Sequence, residues 1–139
     1  MYLVDTNVIS EVRKGARADA GVRAFFRDVD PDALYLSVQT LGEIRRGLEN
    51  VRRRGDALQA ARLEAWLNAV MSEYGDRILA FDLDCAQVWG RLLSPRAEHL
   101  VDRQIAAIAL IHDMTVVTRN VADFAGIGVS LLNPFQVAS

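Results

Sequence analysis

Tyr2-Leu3-Val4-Asp5-Thr6-Asn7 near one end of the chain and Thr115-Val116-Val117-Thr118-Arg119-Asn120 near the other share one form. Each is a short strand-forming run that stops abruptly at residues suited to helix caps and turns. Three further runs follow the same plan. They are Leu34-Tyr35-Leu36-Ser37, entered through Asp30-Pro31-Asp32, Arg77-Ile78-Leu79-Ala80-Phe81, closed by Asp82, and Val129-Ser130-Leu131-Leu132, ahead of Pro134. Between them the apolar spacing changes to that of a helix. Leu41, Ile44, Leu48 and Val51 form one stripe; Leu63, Trp66, Leu67, Val70 and Tyr74 form another. The stretch from Leu100 to His112 is apolar nearly all round, which predicts a buried helix. Short apolar strands alternating with helices predict an α/β fold. Its centre would be a parallel sheet of four to five short strands with helices on both faces, making three layers.

The whole chain, 1–139, is sized for a single domain, and 51% hydrophobic residues with 24% charged describe a globular protein rather than a disordered one. The lone cysteine, Cys85, excludes an internal disulfide and a cysteine-based zinc site, and suits a reducing, cytoplasmic setting. The longest unbroken apolar run, Ile105 to Ile111, is too short to span a bilayer, and no signal peptide is visible. Sixteen basic residues against eighteen acidic ones leave a net charge of −2, which argues against a generic polyanion binder. All the basic residues but Lys14 are arginines. Codon bias explains this, as does a use of arginine's fork on phosphates.

In open parallel sheets ligands sit beyond the carboxyl ends of the strands. Asp5 closes the first strand there, while Thr118, Asn120 and Asp123 follow the Thr115–Thr118 run. Asp5 also reads as an ordinary helix cap, a duty that Thr6 and Asn7 could share. Asp102 shares a helix face with Ile105, Ala106 and Ala109, the side that should meet the sheet. Removing a carboxylate from water costs several kcal/mol, so Asp102 requires a cation, or exposure at the helix end. The cation could be an arginine such as Arg103 or Arg119, or a metal. Asp123 could merely end a turn. Glu43 lies off its helix's apolar stripe with Arg46 three residues on, the pattern of a solvated ion pair. Asp82 and Asp84 read as caps of the helix through Val88 and Trp89. His99 and His112 stand alone, without the spacing of a histidine metal site. If Asp5, Glu43, Asp102 and Asp123 converge, their repulsion demands protons or a hard cation, and all-oxygen ligands select Mg²⁺ or Mn²⁺. Metal-assisted phosphodiester hydrolysis is the chemistry such a site favours.

Between Leu41 and Gly55, Arg45, Arg46, Arg52, Arg53 and Arg54 face only Glu43 and Glu49. Five against two is a local +3, so the remainder of the chain carries −5. A nucleic-acid track beside an acidic pocket is one reading; basic residues at a helix's negative pole are the other.

Four segments in order resemble the motifs of the PIN-domain ribonucleases, in particular VapC-type toxins of bacterial toxin–antitoxin pairs and their FitB-like branch. These are Tyr2 to Glu11, Ser37 to Gly47 (which singles out Glu43), Asp102 to Ala107, and Thr118 to Phe124. The resemblance implies a three-layer PIN-like fold over one PIN domain, 1–139, and a Mg²⁺-dependent endoribonuclease in which Mn²⁺ can substitute. It implies that Asp5, Glu43, Asp102 and Asp123 are catalytic metal ligands. Thr6, Asn7, Thr118 and Asn120 are expected as supporting polar residues, and the arginine cluster gives Arg45 and Arg46 as the expected RNA contacts. Many relatives carry an acid where this chain has Asn120, so the fourth acidic position is either weakened or shifted to Asp123. The resemblance also implies a homodimer, a VapB-type antitoxin partner, and a larger assembly of the two on operator DNA. The alternative is a non-catalytic PIN module that binds RNA or protein partners. A phospho-accepting receiver would need a lysine on a late strand, and Lys14 is too early. A haloacid-dehalogenase-type phosphatase would need an aspartate where Asn7 stands.

Overall fold

A computed structural model describes residues 1–136; residues 137–139 of the expected 1–139 domain lie outside the described residues. Five strands form: Tyr2–Val4 (β1), Leu34–Ser37 (β2), Ile78–Leu79 (β3), Thr115–Val117 (β4) and Ser130–Leu132 (β5). Six α-helices connect them: Thr6–Val12 (α1), Ala20–Asp28 (α2), Val38–Arg53 (α3), Ala57–Tyr74 (α4), Leu83–Leu93 (α5) and Leu100–His112 (α6). The strands form one sheet in the order β3-β2-β1-β4-β5, and every pair is parallel. The architecture is the three-layer α/β sandwich that the alternating pattern predicts.

Side-chain alternation along the strands assigns the two faces. Val4, Leu34, Leu36 and Val117 pack with Val8, Ile9, Val22, Ile44, Leu48 and Leu67, so α1 to α4 cover that side. Leu3 and Val116 point the other way, against Cys85, Ile105, Ile108 and Phe124, so α5, α6 and the 3₁₀ turn Val121–Phe124 cover the second side. Trp66 and Leu63 join the first core as partly buried members. Among the described residues, no helix is long and apolar enough to cross a membrane.

Two details depart from the sequence expectations. β3 is only two residues long; Arg77 belongs to a preceding 3₁₀ turn, where its guanidinium donates to the carbonyls of Pro31 and Leu34. Helix α6 is buried at its centre, yet Leu100, Val101, Leu110 and Ile111 at its ends are 36–51% exposed. Its apolar circumference overstates its burial because only the middle turns lie against the sheet.

Capping fixes where the helices start. Asp5, Asp19, Ser37, Asp56 and Asp82 each accept a backbone N–H through the side chain at the N-terminus of α1 to α5 in turn. Such caps contribute about 1 kcal/mol each. Asp19 does more, because it also accepts the Gln136 N–H at 3.1 Å and ties the end of the described chain to α2. Gly21 lies in the same seam. A Cβ there would fall 2.2 Å from the Pro134 carbonyl oxygen, a backbone atom that cannot swing aside. Gly21→Ala should therefore destabilise the fold by about 1–3 kcal/mol through overpacking, measurable as a lower urea midpoint. An unchanged midpoint would show that the seam contributes nothing.

Candidate metal centre

The sheet order places β1 between β2 and β4, so the chain's progression reverses direction at β1. A crevice opens at such a reversal beyond the strands' carboxyl ends. Asp5 follows β1 directly and is 4% exposed. Three neighbours fix its carboxylate. The Thr6 N–H donates to Oδ1 at 2.9 Å, the Thr118 hydroxyl donates to Oδ2 at 2.8 Å, and the Asn7 amide approaches Oδ2 at 3.3 Å. Thr118, fully buried at the end of β4, in turn accepts the Asn120 N–H at 3.0 Å, while the Asn7 carbonyl oxygen accepts the Arg119 N–H. Asp5 is thus both a helix cap and a member of a network joining β1 to β4. Thr6, Asn7 and Thr118 bond within this network through their side chains or backbone, and Asn120 joins it only through its backbone N–H. The Asn120 side chain makes no cap bond.

Glu43 lies on α3. Its carboxylate accepts the Thr6 hydroxyl at 2.7 Å, and Thr6 lies 3.2 Å from the buried Thr40 hydroxyl. Thr40 is held by the Ser37 cap. A chain of hydroxyls therefore turns Glu43 toward Asp5; it does not form the solvated pair with Arg46 that the helical spacing suggests. Ser37 and Thr40 are missed by reading the sequence for charge alone. Their three-residue spacing at a helix start is the signal that could have found them.

Asp102 lies in the first turn of α6, where the helix favours negative charge. Neither arginine partner is realised. Arg103 is buried and donates to the Leu92 carbonyl, while Arg119 lies over the Phe135 ring. No lysine or arginine among the described residues pairs with Asp102. Asp123 comes from the 3₁₀ turn Val121–Phe124. Burial, then the charges of Asp5, Asp123 and Glu43, push the Asp102 carboxyl up to about 6 from 3.8. Burial also raises Asp5, against the hydrogen bonds that favour its ionised form. The charges of Asp5, Asp123 and Glu43 all reach Asp102, each from a separate element, but Asp5 and Glu43 are not among the residues whose ligand atoms cluster most tightly. That cluster brings in a residue the sequence did not single out. His99, which stands alone in the sequence, precedes α6 with its Nδ1 3.9 Å from Asp123. One ligand-type atom from each of His99, Asp102 and Asp123 lies within 4.8 Å of the others.

The arginine track divides. Arg45 donates to both oxygens of Glu64 on α4 and to Glu49, and Arg52 bonds the same two acids. The two guanidiniums hold Glu64 down to about 2. Arg45 thus spends its donors inside the protein, fastening α3 to α4. Arg46, Arg53 and Arg54 are exposed and make no ion pair among the described residues.

The donor set fits a hard divalent cation: several carboxylates, partly desolvated, mutually repelling, with no lysine or arginine to neutralise Asp102. A carboxyl raised from 3.8 to about 6 binds its proton more tightly in the folded chain than in the unfolded one. Metal-free stability should therefore fall as pH rises through that window and remain lower above it. Asp102→Asn should raise the melting temperature of the metal-free protein by a few degrees at pH 7.5 and leave it nearly unchanged at pH 4. An equal effect at both values would remove the repulsion argument.

The sequence profile of the PIN domain matches residues 2–128. The plasmid stability protein StbB of Pseudomonas syringae pv. tomato is 35% identical, covering 98% of this chain and 99% of its own. The VapC ribonuclease Y4jK of Sinorhizobium fredii is 34% identical over 99% of this chain and 100% of its own. Among solved structures, FitAcB from Neisseria gonorrhoeae superposes with a TM-score of 0.86 at 29% identity, covering 96% of this chain and 98% of that one. FitAB bound to DNA gives a TM-score of 0.80 at 28% identity, over 100% and 99%. Matched along nearly its full length by the PIN profile and by VapC- and FitB-type proteins, the chain belongs to the PIN-domain family as a VapC-type toxin.

Proposed function

We propose that the protein is a Mg²⁺-dependent endoribonuclease, with Mn²⁺ able to substitute, acting as the toxin of a VapBC-type module. One observation carries this reading: Asp5, Glu43, Asp102 and Asp123 gather from four elements at one sheet edge, and no lysine or arginine pairs with Asp102. A cation held by those carboxylates supplies the charge that polarises a phosphoryl oxygen and acidifies a water molecule. The chain's own residues do the positioning. Thr118, Thr6 and Asn7 lock Asp5 in a single orientation, and Thr6 does the same for Glu43. Arg46, exposed and three residues beyond Glu43 on α3, would meet a phosphate of the bound RNA. The name of the Y4jK relative supplies RNA as the substrate class. The FitAB structures, together with a toxin–antitoxin complex from Klebsiella pneumoniae, support a VapB-type antitoxin partner and an assembly on operator DNA. A homodimer in the cytoplasm completes the proposal.

Asp5→Asn and Asp102→Asn should each lower Mg²⁺-dependent RNA cleavage by roughly 100-fold or more while circular dichroism stays unchanged. Full activity in both variants would sink the assignment. RNA binding by the wild-type chain without any cleavage would mark a non-catalytic module instead. The two adjacent arginines should separate. Arg46→Ala should weaken RNA binding and reduce its salt slope by about one. Arg45→Ala should mainly lower the melting temperature, because it leaves Glu64 and Glu49 with one guanidinium between them. The reverse pattern, in a filter-binding series against salt and a thermal melt, would reassign the RNA contact to Arg45.

A further inference from the structure

Helix α6 is the only one of the six described α-helices whose N-cap side chain makes no capping bond. That cap is His99, held at φ 50° and ψ 51°, in the left-handed region that side-chain-bearing residues seldom enter. The backbone conformation leaves the imidazole close to Asp123, and Asp102 lies three residues further along the chain. Strained backbone of this kind is retained where the surrounding structure needs a side chain in one place.

We propose that His99 is a nitrogen ligand of the cation held by Asp102 and Asp123, and that it shifts the site's preference from Mg²⁺ toward Mn²⁺ and Co²⁺. The donor types are those of a mixed nitrogen and oxygen set. One imidazole nitrogen and two carboxylate oxygens lie within 4.8 Å of one another, close enough for side-chain rotation to bring all three onto one ion. The chemistry follows from the donor types. Mg²⁺ demands oxygen and releases its own water reluctantly, whereas imidazole suits borderline cations such as Mn²⁺ and Co²⁺. Asn120, at the start of the same turn, is neutral, and the imidazole adds a donor on that side of the pocket without adding a negative charge.

This inference rests on the acidic pocket holding a cation, as proposed above. The test uses the full chain, with Mn²⁺ and Mg²⁺ as probes. Asparagine tolerates left-handed backbone better than most residues, so His99→Asn should preserve the start of α6. Pulsed electron paramagnetic resonance of the wild-type Mn²⁺ complex should show coupling to an imidazole nitrogen, and the coupling should vanish in His99→Asn. Calorimetry should show Mn²⁺ affinity falling about tenfold or more in that variant while Mg²⁺ affinity changes by less than about threefold. A wild-type Mn²⁺ complex without nitrogen coupling, or equal losses for both ions, overturns the inference. Asp5→Asn separates this failure from failure of the pocket. If Asp5→Asn abolishes Mn²⁺ binding while nitrogen coupling is absent from the wild type, His99 alone is misassigned. If neither ion binds the wild-type chain, both readings fall.

Discussion

Carboxylates repel one another, and this protein gathers four of them at one edge of a sheet. Two such charges 4 Å apart in a protein-like dielectric oppose each other by about 4 kcal/mol, a large fraction of a small domain's stability. The rest of the molecule can be understood as the means of imposing that arrangement. Asp5 is fixed by three side-chain and backbone donors, Glu43 by a chain of hydroxyls reaching back to Ser37, and Asp102 by a helix packed through its middle turns. None of these contacts removes the repulsion. They resist it, and the unrelieved part adds to burial in pushing the Asp102 carboxyl up to about 6 and in raising Asp5.

The arginine network has the opposite character. Arg45 and Arg52 meet Glu49 and Glu64 at the surface, where each charge is paired at once and water shares the load. Exposed pairs of this kind contribute little singly, though a network of four gains from its rigidity. Its position explains its use. It clamps α3 against α4, and α3 carries Glu43. The segment that reads as a basic track is in part the fastening for the helix that carries Glu43, and only its outward arginines remain exposed and unpaired among the described residues.

Much of this was legible in the sequence because it rests on local rules. Strand runs ending in cap residues located β1, β2, β4 and β5, the strand-end position selected Asp5 and Asp123, and Asp102 stood out as a carboxylate on the helix face that meets the sheet. Glu43 was not legible from its helix alone, since the interaction that orients it comes from Thr6, 37 residues away. His99 escaped for a related reason: a histidine in an irregular segment has no periodic pattern, and its partner Asp123 lies in another loop. Arg45 and Arg46 look identical in sequence. They differ only because α4 passes beside one of them and brings Glu64 with it.

The bond between Thr118 and Asp5 spans 113 residues of chain, and β1 has β2 on one side and β4 on the other. Such a centre is among the last things a folding polypeptide can complete, because the closure of so long a loop must precede it. During synthesis the first strand waits unpaired on its β4 side while more than a hundred residues follow. A nascent or truncated chain therefore carries some of the acidic residues but not the pocket, which is completed only when β4 arrives beside β1.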